Sequence, residues 1–201
     1  MAKQYNSFTG IKGFHYKVKG GTVQSPEAIE GLQEVTISKE QEIVKGSGDN
    51  RTMETAVSNS DIEIETGFHA LPMSDKVALF GLEEDSNGLV YVGNDTPSEV
   101  ACLFERTDEV GGREVVGLFS GKFLYPETEG STKSDGETEF SSQSTSATFI
   151  PVQLEGMTEP KAMVMGYDAK GETKALYGVW EKVFGEKHPN DTTPVEENTG
   201  A

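Results

Sequence analysis

Residues 61–66, Asp-Ile-Glu-Ile-Glu-Thr, alternate strictly between polar and apolar side chains. A period of two marks a β-strand, because successive side chains on a strand point to opposite faces. Asp61, Glu63 and Glu65 therefore share one face, while Ile62, Ile64, Thr66 and Phe68 share the other. Stacked carboxylates with no base nearby in sequence repel one another and keep their face wet. The ordinary interpretation is a half-exposed strand with a solvated side. The sharper one is an acidic surface past which another polyanion moves.

The same pattern predicts strands over residues 14–18, 32–38, 89–92, 100–107, 115–125, 140–150, 162–167 and 175–183. In 32–38, Val35 and Ile37 oppose Glu34, Thr36 and Ser38. Turns at Gly20-Gly21, Asn87-Gly88, Gly111-Gly112 and 169–171 separate these runs. One stretch, 72–81, reads as a helix, with Ser74 as N-cap, Gly81 just past its end, and Val77, Phe80 and Met73 on its apolar side. Residues 1–13 read as a mobile arm, 39–58 as a long polar connection, 126–137 as an exposed acidic loop and 186–201 as a disordered tail. Connections as long as 39–58 are uncommon inside compact domains unless functional or disordered. The expectation is one mainly β domain over residues 1–185, sandwich-like or barrel-like, with one short flanking helix and long loops.

Charge sharpens this picture. The 201 residues carry a formal net charge of −17, yet residues 1–26 hold Lys3, Lys12, Lys17 and Lys19 and no acid. A basic start on an acidic body suits head-to-tail self-association. A solvated arm is the plainer alternative. Affinity for nucleic acid comes from clustered Lys and Arg, so specific DNA binding is disfavoured. The lone cysteine excludes an intrachain disulfide. No apolar run approaches the ~18 residues of a membrane span, and no secretory leader is visible, so synthesis in the cytosol is expected.

The search for catalytic chemistry comes up nearly empty. His15, His69 and His188 are far apart in sequence and lack ligand spacing. Cys102 lies in an apolar strand and reads as a buried, inert thiol. Gly117-Leu-Phe-Ser-Gly121 sets its serine one place too late for a nucleophile elbow, and Gly121-Lys122-Phe123 lacks the glycine spacing of a phosphate loop. Glu83-Glu84-Asp85 reads as a solvated turn rather than a calcium loop. No enzyme, cofactor or metal site is expected.

Four segments, taken together in order, resemble the major tail protein, or tail-tube protein, of long non-contractile-tailed bacteriophages. They are Gly-Ser-Gly-Asp-Asn-Arg-Thr-Met-Glu from Gly46 to Glu54; Leu71-Pro72 through Phe80-Gly81 with Gly88 and Asp95-Thr-Pro97; Val-Ala-Cys-Leu-Phe-Glu-Arg from Val100 to Arg106; and Gly-Lys-Phe-Leu-Tyr-Pro from Gly121 to Pro126 with Thr132-Lys133 and Glu137. The resemblance covers roughly residues 10–150 and offers no catalytic residue. It implies a tail-tube β fold and a structural virion protein, made in the host cytoplasm, that self-assembles into six-fold rings. Stacked rings would form a tube through which DNA and tape-measure protein pass, DNA without specific binding. Tail-terminator or tail-tip proteins would be its partners, and no membrane is involved. On that basis Asp61, Glu63 and Glu65 are expected to face the lumen, with Glu34 and Glu40 as further candidates. Ile43, Val44 and Met53 are expected to contact the next ring. A soluble β-sandwich module binding carbohydrate or a protein partner is the alternative.

Overall fold

The computed structural model describes residues 6–21, 25–48, 51–127 and 142–192, without the side chains of 46–48 and 51–53. The chain forms β1 (Phe8–Val18), β2 (Glu27–Ile29), β3 (Leu32–Gly48), β4 (Arg51–Phe68), α1 (Met73–Phe80), β5 (Glu83–Glu84), β6 (Val90–Tyr91), β7 (Val100–Asp108), β8 (Arg113–Phe123), β9 (Gln143–Phe149), β10 (Met163–Asp168) and α2 (Lys174–Phe184). Eight strands make one antiparallel sheet in the order β2-β1-β7-β8-β9-β4-β3, with β10 paired to the first half of β8. β5 and β6 form a separate hairpin. The large sheet curls until β1 approaches β3, but its edge strands β2 and β3 do not pair with each other, so the barrel stays open.

Curling gives the sheet an inner face that closes on itself. Phe14, Ile62, Ile64, Phe68, Val100, Cys102, Phe104, Leu118, Phe123 and Phe149 fill it, and Leu79 and Phe80 of α1 pack against them. Phe14 meets the edge of Phe68 at 5.1 Å between ring centroids, and Phe123 meets Phe149 at 6.1 Å, the edge-to-face geometry that ring quadrupoles favour. β7 is buried on both sides, which explains its uninterrupted apolar run. Val100, Cys102 and Phe104 point inward, while Ala101 and Leu103 point to α2. Burial pushes the pKa of the Cys102 thiol far up, leaving it protonated and inert.

α2 covers the outer face through Leu176, Val179, Trp180, Val183 and Phe184. This corrects the strand expected over 175–183, and the described residues form two helices where one was expected. Those five positions follow a helical i, i+3, i+4, i+7, i+8 stripe, which the β-branched and aromatic content obscures. The helix lies so close to the sheet that a Cβ on Gly117 would overlap Val179 and Val183. α1 occupies the predicted stretch, and Gly81 ends it in the left-handed conformation at φ 65°. Pro72, not Ser74, stands at its N-cap. Phe80 is buried as expected and Leu79 joins it, whereas Met73 is exposed.

Two expected connections are strands. Residues 8–13 belong to β1, which bulges at Gly13 (φ 65°) and continues against β7; residues 1–5 lie outside the described residues. The 39–58 connection is the outer part of a β3–β4 hairpin. Most of the 126–137 loop also lies outside the described residues.

Of the tail expected to be disordered, residues 186–192 lie against α2, and 193–201 are outside the described residues. His188 stacks on Tyr177 at 5.0 Å and meets the edge of Trp180 at 4.6 Å, and Tyr177 Oη donates to the Asn190 carbonyl. Burial, with His15 and Arg113 nearby, lowers the His188 pKa below its ordinary 6.5. A neutral imidazole therefore favours the docked segment. That contribution is present above about pH 6.5 and is lost as pH falls through the lowered folded value. Emission from Trp180, the only tryptophan, should shift to the red over that acid step. His188→Phe should abolish the step while keeping the stack.

Candidate functional site

The alternation that predicts β4 is realised in its burial. Ile62, Ile64 and Thr66 are 6%, 0% and 1% exposed, whereas Asp61, Glu63 and Glu65 are exposed. Cross-strand register assembles the rest of that outer face, because directly paired residues project to the same side. Glu63 sits between Ser38 and Thr148, Glu65 between Thr36 and Ser146, and Gly67 between Glu34 and Ser144. Glu34 thus joins the row from β3. Glu40 stands opposite Ser60 and Asp61 in a bulge at the row's end, where the register shifts between Lys39 and Gln41. Among the described residues, none of Asp61, Glu63, Glu65 and Glu34 makes an ion pair or a side-chain hydrogen bond. The surrounding side chains are hydroxyls, and Lys122, paired with Thr148, marks the β8 border. An open trough of about 440 Å³, lined by Glu34, Thr36, Glu65, Glu127, Ser144 and Ser146, runs along it.

The bulge also marks where β3 and β4 leave the sheet. β9 pairs with β4 only from Ile62 onward, so residues 41–48 and 51–59 pair only with each other. Eight residues at about 3.4 Å each make a ribbon roughly 27 Å long. Ile43 faces Val57 across the ribbon, and Val44 faces Ala56. Ile43, Val44 and Val57 are 63%, 49% and 57% exposed. The ribbon therefore carries apolar side chains on both faces, and none of the described residues covers them. Met53 lies in the β4 backbone, but its side chain is outside the described residues. Val57 was missed from the sequence because a ribbon solvated on both sides has no polar-in, apolar-out contrast to reveal its pairing.

Asp85 illustrates a polar group that serves local structure. Asp85 accepts hydrogen bonds from the backbone N–H groups of Asn87 and Leu89 and from Tyr91 Oη, so it holds its own hairpin turn. Those bonds lower its pKa. Among the described residues, no group of three or more His, Cys, Asp or Glu is placed to hold a metal ion.

Residues 10–178 match the phage tail tube protein family. The chain belongs to that family. As a tail tube protein it is a structural component of the virion tail. The match runs beyond the segments that carry the sequence resemblance and takes in β10 and the first part of α2. A chain in the six-fold-symmetrised cryo-EM structure of the anti-feeding prophage baseplate superposes with a TM-score of 0.41 at 11% identity, over 83% of this chain and 97% of that one. No curated protein matches the sequence.

Proposed function

We propose that copies of this tail tube protein associate side by side into six-fold rings, and that the rings stack into the tube of a long non-contractile tail. The observation that carries this reading is the unpaired carboxylate row of Asp61, Glu63, Glu65 and Glu34, set on the bare face of a sheet whose other face is core. Turned to the lumen, with Glu40 at its end, the row repeats in every subunit and every ring. An isolated surface charge is screened beyond about 8 Å at physiological salt. A narrow channel keeps DNA within that distance on all sides, so the wall repels it and leaves it free to slide. The outer edge of β3 has no partner among the described residues, and an open edge of this length suits strand addition from a neighbour.

The ribbon is the ring-to-ring connector in this reading. A two-stranded ribbon is marginal alone in water, and Ile43, Val44 and Val57, uncovered among the described residues, gain an apolar surface from another ring. Tape-measure protein fills the lumen before DNA, and tail-terminator and tail-tip proteins close the ends. Synthesis is in the host cytoplasm. Negative-stain microscopy of concentrated protein should show rings or tubes. Monomers alone at high concentration, with tail partners present, would overturn the proposal.

The lumen assignment has its own test. Asp61→Lys, Glu63→Lys and Glu65→Lys combined should leave subunit folding intact, because all three side chains are solvated. Assembled tubes should then retain DNA at low salt and release it as salt rises. Asp61→Asn, Glu63→Gln and Glu65→Gln should not retain it. Tubes of the lysine variant that remain indifferent to DNA place the row elsewhere.

A further inference from the structure

Tyr16 Oη lies 2.7 Å from Asp75 Oδ1 and 2.8 Å from Glu27 Oε2. These groups come from β1, α1 and β2, and they join the helix that closes the core to one edge of the sheet. A phenol carries one hydroxyl hydrogen and donates one strong bond. Two oxygen–oxygen contacts this short therefore call for a second proton from the carboxyl side. Asp75 is 7% exposed and Tyr16 is 1% exposed, while Glu27 is half-buried, so the charge is best kept on Glu27.

We propose that Asp75 is held as the neutral acid in the folded subunit, forming a shared-proton latch that fastens α1 to the β1–β2 hairpin and weakens as pH rises. Asp75 donates to the Tyr16 oxygen, and Tyr16 donates to the Glu27 carboxylate. Burial raises the Asp75 pKa and the Glu27 charge adds to the rise; a Tyr16 hydroxyl turned toward Asp75 would oppose it. Burial and both carboxyl neighbours push the Tyr16 phenol far up, so it keeps its hydrogen. No cation offsets the pair: neither Asp75 nor Glu27 makes an ion pair among the described residues. Lys17 lines the adjoining pocket, but its ammonium is taken by Glu186 and the Phe184 carbonyl. Glu84 lines the same pocket and adds a further acid. Lys76, next along α1, makes no ion pair among the described residues.

The linkage has a definite direction. With a folded pKa above the unfolded value of about 3.9, the native state holds more protons across the interval between them, and stability falls as pH rises through it. The cost is in full force above the folded value. Asp75→Asn keeps a donor toward Tyr16 and removes the charge. It should raise Tm at pH 7.5 by about 2–4 °C and flatten the decline that begins as pH rises past about 4. In a ¹³C-carboxyl NMR titration of the full chain, the resonance lost in Asp75→Asn should have its midpoint above the ordinary range in the parent protein. Glu27→Gln should move that midpoint down. A midpoint at or below about 4, or a lower Tm for Asp75→Asn at pH 7.5, overturns the latch. The NMR midpoint decides even where a variant folds poorly.

Discussion

Asp168→Ala should cost about 3–5 kcal/mol of folding stability, the range for removing one partner of a buried, hydrogen-bonded charge pair. Asp168 closes β10 and is 1% exposed. Its Oδ1 accepts from the Ala175 N–H at 2.6 Å, and its Oδ2 accepts from the Leu176 N–H at 3.0 Å and from Arg113 Nε at 3.3 Å. Thr173, at the N-cap of α2, makes no side-chain capping bond, so Asp168 meets that need from the neighbouring strand. A carboxylate at a helix N-terminus also gains from the helix dipole. Arg113 is spoken for on every side, donating to Glu105 Oε2 at 3.0 Å and to the Glu172 carbonyl at 3.0 Å. Alanine would leave its guanidinium beside two unpaired amide groups in a largely dry site. At about 2–4 °C per kcal/mol for a chain of this size, Tm should fall by roughly 6–20 °C. Asp168→Asn keeps acceptor capacity and should lose less. Thermal and urea unfolding of the three proteins measure this, and a loss under about 1 kcal/mol for alanine contradicts the assignment.

Removing the ribbon should abolish tube growth while leaving the subunit folded. Residues 42–48 and 51–58 pair only within the ribbon, and Ile43, Val44 and Val57 are exposed, so among the described residues the core loses nothing. Joining Gln41 to Asn59 through an Asn-Gly turn preserves their side-chain bond of 2.6 Å and supplies a two-residue hairpin of favoured geometry. Thermal unfolding should change by less than about 1 kcal/mol, as for other surface changes, while microscopy should show no tubes. Ile43→Asp with Val57→Asp should act the same way, since each apolar side chain buried between rings contributes about 1.5–3 kcal/mol before ordering costs. Tubes of normal length from the shortened chain would make the ribbon a solvated projection.

The acidic row was legible residue by residue. Period-two alternation fixes which side chains share a face, and the isoleucines at 62 and 64 decide which face is buried, because a one-residue slip would expose them. Val35 and Ile37 did the same for β3 and so for Glu34. The apolar run at 100–104, the turn at Asn87-Gly88 and the left-handed Gly81 were equally local. The ribbon was not legible. Its residues alternate too weakly to signal a strand, since neither face meets the core, and its pairing is fixed only because β3 and β4 continue from a register set inside the sheet. Residues 175–183 carry both strand-type composition and a helical stripe, and the flat surface of β7 and β8, kept open by Gly117, decides for the helix. The sequence by itself determined the mainly β class, the acidic face and the absence of a recognisable catalytic motif, all properties of neighbours along the chain. The tertiary structure alone decided the Asp168–Arg113 cap, the meeting of Tyr16, Glu27 and Asp75, and the ribbon's freedom from the sheet. Asp168 meets Arg113 across 55 positions and Tyr16 meets Asp75 across 59, and no local pattern encodes which distant strand or helix a side chain will meet.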